Sequence, residues 1–129
     1  MRIVGIDVNK SSCIACCLNS KPEDERNIYH GDNFYKFDAS AAGIQSLLSL
    51  CPDLAILEPT GINYSQLWVK HNEQAGIQVR LVDHAQQSNY RKFLSLPDQD
   101  DRADALSLAC YGFDYLDNHR KFLVIREPI

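Results

Sequence analysis

Four acidic residues stand where α/β proteins concentrate chemistry: Asp7, Glu58, Asp101 and Asp104. Asp7 lies at the end of the apolar run 2–8, and Glu58 directly follows the apolar run 54–57. In an open α/β sheet, ligands gather at the carboxyl ends of strands. Asp101 and Asp104 are three residues apart at the start of a helical stretch. Three residues turn an α-helix through about 300°, so both side chains leave nearly the same face. If that helix crosses the sheet beside the first strand, the four carboxylates converge. Convergent carboxylates repel unless a counter-ion lies among them. Hard divalent cations with oxygen ligands, Mg²⁺ or Mn²⁺, meet that need. Two such ions about 3.5–4 Å apart can activate a water and stabilise a leaving oxygen in phosphodiester cleavage. Each acid also has an ordinary explanation, as a turn residue closing a strand or as a partner of the helix dipole. The joint placement favours a site.

The elements that would position these acids follow from hydrophobic periodicity. The run 2–8 predicts a buried strand, and 12–18 a second, joined by a hairpin through Asn9-Lys10. Lys21-Pro22-Glu23-Asp24-Glu25 predicts a solvated turn. Alternation over 33–37 predicts a third strand, starting as early as Ile28. Asp38 is the expected cap of a helix whose stripe is Ile44, Leu47, Leu48 and Cys51, ended by Pro52. A fourth strand covers 54–57. A second helix is expected over 62–75, with Tyr64, Leu67, Trp68 and His71 on one face and Gly76 as its C′ residue. A fifth strand covers 77–82, and a helical stretch 84–93. The last helix runs from near Asp100 to Tyr115, with Ala105, Leu108, Ala109 and Gly112 as a small-residue packing face. Phe122 to Ile125 fits an edge strand or a linker. Strands joined by short turns should be antiparallel neighbours, and strands separated by helices parallel. The expected fold is α/β, ribonuclease-H-like (RuvC-like): a mixed five-stranded sheet flanked by helices, over residues 1–118, with 119–129 a tail or the start of a linker. Other α/β folds share this element order.

Composition narrows the class. The chain is 45% hydrophobic and 23% charged, which excludes a disordered chain or a fibre. No apolar stretch approaches a membrane span, and Asp7 interrupts the N-terminus where a signal peptide would stay apolar. A cytoplasmic domain without a membrane partner is therefore expected. Thirteen basic and 17 acidic residues give a net charge of −4, against a simple basic DNA-coating module. A metal-dependent nuclease remains compatible, since two divalent cations would bring the sum to zero. Five cysteines, Cys13, Cys16, Cys17, Cys51 and Cys110, form no disulfide pattern. Cys13-Ile14-Ala15-Cys16 has zinc or redox spacing, but no second pair completes a site, so small strand residues are the expected reading.

Three segments carry a family resemblance: Val4-Gly5-Ile6-Asp7-Val8-Asn9-Lys10, Glu58-Pro59-Thr60-Gly61 and Asp101-Arg102-Ala103-Asp104-Ala105-Leu106. Together they resemble the motifs of DEDD-type insertion-sequence transposases, a family that includes the Piv/MooV-like DNA invertases. The similarity spans nearly the whole chain, as the N-terminal RuvC-like domain of a longer protein. It implies a metal-binding, catalytic set of Asp7, Glu58, Asp101 and Asp104, with Mg²⁺ or Mn²⁺ as cofactor. It also implies DNA recombination on DNA that can be branched or junctional, guidance by an element-encoded RNA in some relatives, and a homo-oligomeric full-length protein. Departures exist. Gln99 and Asp100 replace a basic residue and a threonine before the third acid, which makes Asp100 a potential substitute for Asp101 as ligand. Tyr64 stands one residue later than the family's aromatic. The family's C-terminal domain, with its serine nucleophile, is absent from these 129 residues, so a fragment or degenerate copy is expected.

Thr60 and Gly61 open a helix beside Glu58 and suit a phosphate contact, or a simple cap. Lys10, Arg91, Lys92 and Arg102 are candidates for the DNA backbone, though solvated surface is the commoner fate of any one. His84 follows the fifth strand, either near the acids or in an exposed capping role. Trp68 and Tyr64 fit core better than base stacking. The leading reading is a metal-dependent recombinase domain. A non-catalytic nucleic-acid-binding or assembly remnant is the alternative. An actin-like or sugar-kinase ATPase half ranks lower, because Asp7-Val8-Asn9-Lys10-Ser11-Ser12 lacks the glycine-rich phosphate turn.

Overall fold

The computed structural model describes residues 1–59 and 64–124. β1 (Ile3–Val8) and β2 (Ser12–Leu18) form an antiparallel hairpin, closed by Asn9 N–H donating to the Ser12 carbonyl at 2.8 Å. α1 (Glu25–Tyr29) precedes β3 (Phe34–Asp38), which pairs antiparallel with β2. α2 (Ala41–Leu48) leads to β4 (Leu54–Leu57), α3 (Tyr64–Gln74), β5 (Gln78–Leu81), α4 (His84–Phe93) and α5 (Asp101–Asp114). The sheet order is β3-β2-β1-β4-β5, with β4 parallel to both β1 and β5. This is the mixed five-stranded sheet expected from the sequence. Among the described residues no helix is long and apolar enough to cross a membrane.

The period-two alternation of β1 divides the core. Val4, Ile6 and Val8 face α2 and α3, packing with Ile44, Leu47, Leu57 and Trp68. Ile3 faces the other side, among Ile56, Leu106, Leu108 and Tyr111. Gly5 shares the face of Ile3 and meets α5 directly. A Cβ there would overlap the Ala105 carbonyl oxygen and stand 2.5 Å from the Ala109 nitrogen. Gly112 continues the same close packing: a Cβ would stand 2.9 Å from Ile56 Cγ1 and 3.1 Å from Ile3 Cγ2. The small-residue stripe of α5 thus lets its backbone rest on β1, and Asp7 follows on the same face one pleat later.

Three expectations are corrected. The early start of β3 near Ile28 gives way to α1, which takes only Glu25 from the charged segment 21–25; residues 21–24 form the mostly exposed turn expected. Asp24 caps this helix by accepting from Arg26 N–H at 3.0 Å, and Ile28 and Tyr29 pack against the α5 side of the core. Ser40, not Asp38, caps α2, accepting from Gly43 N–H at 3.1 Å, because Asp38 is still paired in β3 opposite Ser12. The stretch beginning at Phe122 forms a single antiparallel bridge, Leu123 to Leu81, at the β5 edge, and Ile125 lies outside the described residues. The structural reading of the cysteines holds: all five are free, and Cys13 and Cys16, three apart on β2, are buried on opposite faces of the sheet. They cannot share one ion.

Gly5→Ala should therefore destabilise the fold by more than ~3 kcal/mol, because backbone atoms on both sides must shift. Gly76→Ala, where φ is +83° but space is open, should cost only about 1 kcal/mol. Urea unfolding of both variants checks the contrast; equal losses would contradict the close seating of α5.

Candidate active site

The seating of α5 brings its first turn to the carboxyl end of β1. Asp100 caps the helix, accepting from Arg102 N–H at 2.9 Å and Ala103 N–H at 3.1 Å, and its second oxygen accepts from the Tyr29 hydroxyl at 2.5 Å. With both oxygens occupied, Asp100 is a cap, and Asp101 is the residue aimed at β1. The Asp7 and Asp101 carboxyls are hydrogen-bonded to each other. Asn9 reaches the same group, its Nδ2 3.4 Å from Asp101 Oδ2.

Asp7 is the electrostatic centre of this cluster. Burial pushes its carboxyl up to about 9, helped by the hydrogen bond with Asp101 and the charges of Asp101, Asp104 and Glu58. The other three acids predicted from the sequence are therefore each close enough to oppose the ionisation of Asp7. Asp104 is also raised, chiefly by burial, against the opposing Gln87 hydrogen bond and Arg91 charge. Gln87 Nε2 donates to Asp104 Oδ1 at 3.0 Å and to Ser107 Oγ at 2.9 Å, and Arg91 Nε lies 3.3 Å from the same Asp104 oxygen. Glu58, at the end of β4, is hydrogen-bonded to His84 Nδ1 at the start of α4. That bond and the Glu58 charge raise the imidazole's pKa, favouring the imidazolium.

Each acid thus has a partner of its own: Asp7 with Asp101, Asp104 with Gln87 and Arg91, Glu58 with His84. Among the described residues, no three His, Cys, Asp or Glu side chains are gathered around one point closely enough to hold a metal ion. The donor chemistry, three carboxylates around the half-buried Asp7, suits a hard divalent cation, and the carboxylates must turn from these partners to share one.

The basic candidates divide. Lys10 is exposed beside Asn9 in the β1–β2 turn, and Lys92 is exposed on α4. Arg91 is only 5% exposed and is held by Asp98 at 2.9 Å and by Asp104. Arg102 is bound to the α1–β3 connection: Nη2 donates to the Tyr29 carbonyl at 2.5 Å, and the guanidinium lies over the Tyr29 and Phe34 rings. Thr60 and Gly61 lie outside the described residues. Trp68 is core, whereas Tyr64 is 42% exposed. Sequence reasoning missed Gln87, which is buried and bonded to Asp104. Its only sequence signal is its place one turn after His84.

The fold is shared with solved Holliday junction resolvases. The Thermus thermophilus RuvC structure matches with a TM-score of 0.62 at 14% identity, over 95% of this chain and 98% of that one. T. thermophilus RuvC in complex with Holliday junction substrate matches with a TM-score of 0.58 at 15% identity, over 95% and 99%. The fowlpox virus Holliday junction resolvase matches with a TM-score of 0.58 at 16% identity, over 90% and 99%. At these identities the likeness is one of fold, and the fold is ribonuclease-H-like of the RuvC type. No protein-family profile and no curated protein sequence matches the chain.

The cluster predicts a pH dependence. Without metal, folded Asp7 keeps its proton to about pH 9, while unfolded Asp7 loses it near 3.8. Between these values the unfolded state binds fewer protons, so stability falls as pH rises; below 3.8 the penalty vanishes, and above 9 it levels off. Asp7→Asn, measured in chelator by urea unfolding, should gain roughly 1–3 kcal/mol over wild type near pH 8, shrinking toward pH 4. A variant no more stable than wild type at pH 8 would contradict the repulsion.

Proposed function

We propose that the chain is the catalytic domain of a DNA recombinase of the transposase type, acting on phosphodiesters of branched or junction DNA with Mg²⁺ or Mn²⁺. The observation that carries this reading is Asp7, a half-buried carboxyl held against Asp101 within the influence of Asp104 and Glu58. Such repulsion at the end of the central strand is costly to the fold and is relieved by a divalent cation. The fold likeness to nucleases whose structures include a Holliday junction substrate complex supports the choice of DNA, and the sequence resemblance supports the transposase assignment.

In this reading Asp7, Glu58, Asp101 and Asp104 hold the ions, with Asp7 central. When bound, such ions supply Lewis acidity at the scissile phosphodiester. Gln87 and Arg91 orient Asp104, and His84 orients Glu58. The hydrogen bond to Glu58 and its charge raise the His84 pKa, which favours positive charge at the rim of a negatively charged site. Lys10 and Lys92, both exposed, are assigned to backbone phosphates, and Thr60 and Gly61 are assigned the same role from sequence. Arg91 and Arg102 act as structural supports. A guide RNA and a homo-oligomer in a longer protein belong to the same proposal. The −4 net charge makes DNA binding by these residues alone weak and strongly salt-dependent.

The second reading is a nucleic-acid-binding or assembly module that does not cleave. It is favoured by one observation: no three acids are already gathered around an ion position among the described residues.

Incubating the chain with a four-way DNA junction and Mn²⁺ separates the two. The expected result is nicking that Asp7→Asn and Glu58→Gln each reduce about 100-fold or more. Junction binding without nicking, unchanged in both variants, would favour the second reading. His84→Ala should weaken Mn²⁺ affinity about 10-fold while leaving the fold intact, as loss of a ligand-orienting partner does. Isothermal titration with Mn²⁺ checks it, and an unchanged affinity would remove His84 from the site.

A further inference from the structure

Further along α5 from the acids, where α4 packs on it, lies a concavity of about 290 Å³. Two turns of α4 meet α5 there. Gln87 and Arg91 face Asp104, whereas Gln86 and Tyr90 face the later turns of α5. Tyr111 is seven residues beyond Asp104, about 10 Å along the helix. The floor is Tyr90 and Tyr111, packed edge-to-face at 5.3 Å. The walls are Phe93, 76% exposed, and Tyr115.

The hydroxyls of Tyr90 and Tyr111 are already used. Tyr90 donates to Asp114, and Tyr111 interacts with Gln86 Oε1 at 2.6 Å and the Lys121 carbonyl at 2.5 Å. These bonds fix the ring planes and leave aromatic surface to a guest. An exposed phenylalanine beside fixed tyrosine rings suits a flat, polarisable ligand. At the rim stand the Asn89 amide, a donor and an acceptor, and the Lys121 ammonium. Lys121 lies 5.0 Å from the Tyr115 ring centroid and makes no salt bridge among the described residues. It belongs to the three-residue basic turn His119-Arg120-Lys121, in a chain that is otherwise net acidic.

We infer that this groove binds one unpaired nucleotide, its base stacked on Phe93 and Tyr115, its edge met by Asn89, and its phosphate by Lys121. Aromatic stacking with a nearby cation is how proteins hold single-stranded nucleic acid without reading sequence. The positive turn favours a phosphate-bearing guest over an aromatic side chain of a partner protein. The inference deepens the proposed function and rests on it for the class of ligand. The groove then holds an unpaired nucleotide about 10 Å along α5 from Asp104, as branched DNA would supply.

The test uses a dT oligonucleotide with a central 2-aminopurine, in chelator, so that metal and cleavage play no part. Stacking should quench the probe on binding. Phe93→Ala should weaken binding roughly 5- to 100-fold, the range for losing one stacked base. Phe93→Tyr should retain it. Lys121→Ala should weaken binding and lower the salt slope by about one charge. Phe93 is exposed, so its replacement should leave the melting temperature unchanged, which circular dichroism verifies. An RNA version of the probe tells which nucleic acid the groove prefers; quenching by either supports the inference. No quenching by wild type, or quenching equal in Phe93→Ala, would overturn it. So would a groove that N-acetyltryptophanamide occupies and the oligonucleotide does not, which would mark a protein-docking site. Loss of quenching with Mn²⁺-dependent nicking intact would remove the groove and leave the proposed function standing. Quenching without nicking would do the reverse.

Discussion

The contact between α5 and β1 at Gly5 governs the geometry of the whole molecule. A helix normally stands off a sheet by the depth of its side chains. Here Gly5 supplies none, and a Cβ would collide with the backbone of α5 at Ala105 and Ala109. The helix therefore lies low along the central strand. Because β1 sits third of five strands, this one contact fixes α5 over the middle of the sheet. The first turn of α5 must then arrive at the end of β1, where the pleat presents Asp7. Packing of the least reactive residues in the chain thus sets the position of the most reactive ones.

That position stores electrostatic tension. Asp7 cannot readily ionise where it is, because burial and three neighbouring acids all oppose its charge. The surrounding polar groups divide the remaining acids between them: an amide and a guanidinium for Asp104, an imidazole for Glu58. A fold selected only for stability has no reason to gather these groups at one end of its central strand. A protein interior tolerates such a cluster when a ligand relieves it, and strongly shifted titratable groups mark functional sites for that reason. Fold likeness alone supports only a shared architecture with the RuvC resolvases.

The architecture was legible because it rests on periodicity and punctuation. The apolar runs at 2–8 and 54–57, the short turn before 12–18 and the small-residue stripe of α5 marked the elements, and the pairing of β4 with β1 came from the expected fold and is present in the sheet. Misreadings arose where local signals competed. Asp24 and Asp38 are both of a residue type that caps helices; one caps a short helix where an early start of β3 was expected, and the other is held in β3 by its partner Ser12 while Ser40 caps instead. Tertiary pairing decided both cases. The four acids were legible through their places at strand ends and a helix start. Their partners were not, since Gln87 and Arg91 reach Asp104 across an α4–α5 crossing that no local pattern encodes. Arg91 and Arg102 were candidates for DNA because charge is visible in a sequence, whereas the burial of Arg91 and the seat of Arg102 over Tyr29 and Phe34 are not.

The central claim is that Asp7, Glu58, Asp101 and Asp104 are the ligands of a divalent metal centre. Anomalous diffraction from a crystal soaked in Mn²⁺ tests it directly. The account predicts one or two manganese peaks between the Asp7 carboxylate and the first turn of α5, with Asp101 turned from its bond to Asp7 toward the ion. Peaks confined to surface carboxylates such as Glu23 or Asp117, with Asp7 and Asp101 still hydrogen-bonded to each other, would contradict it.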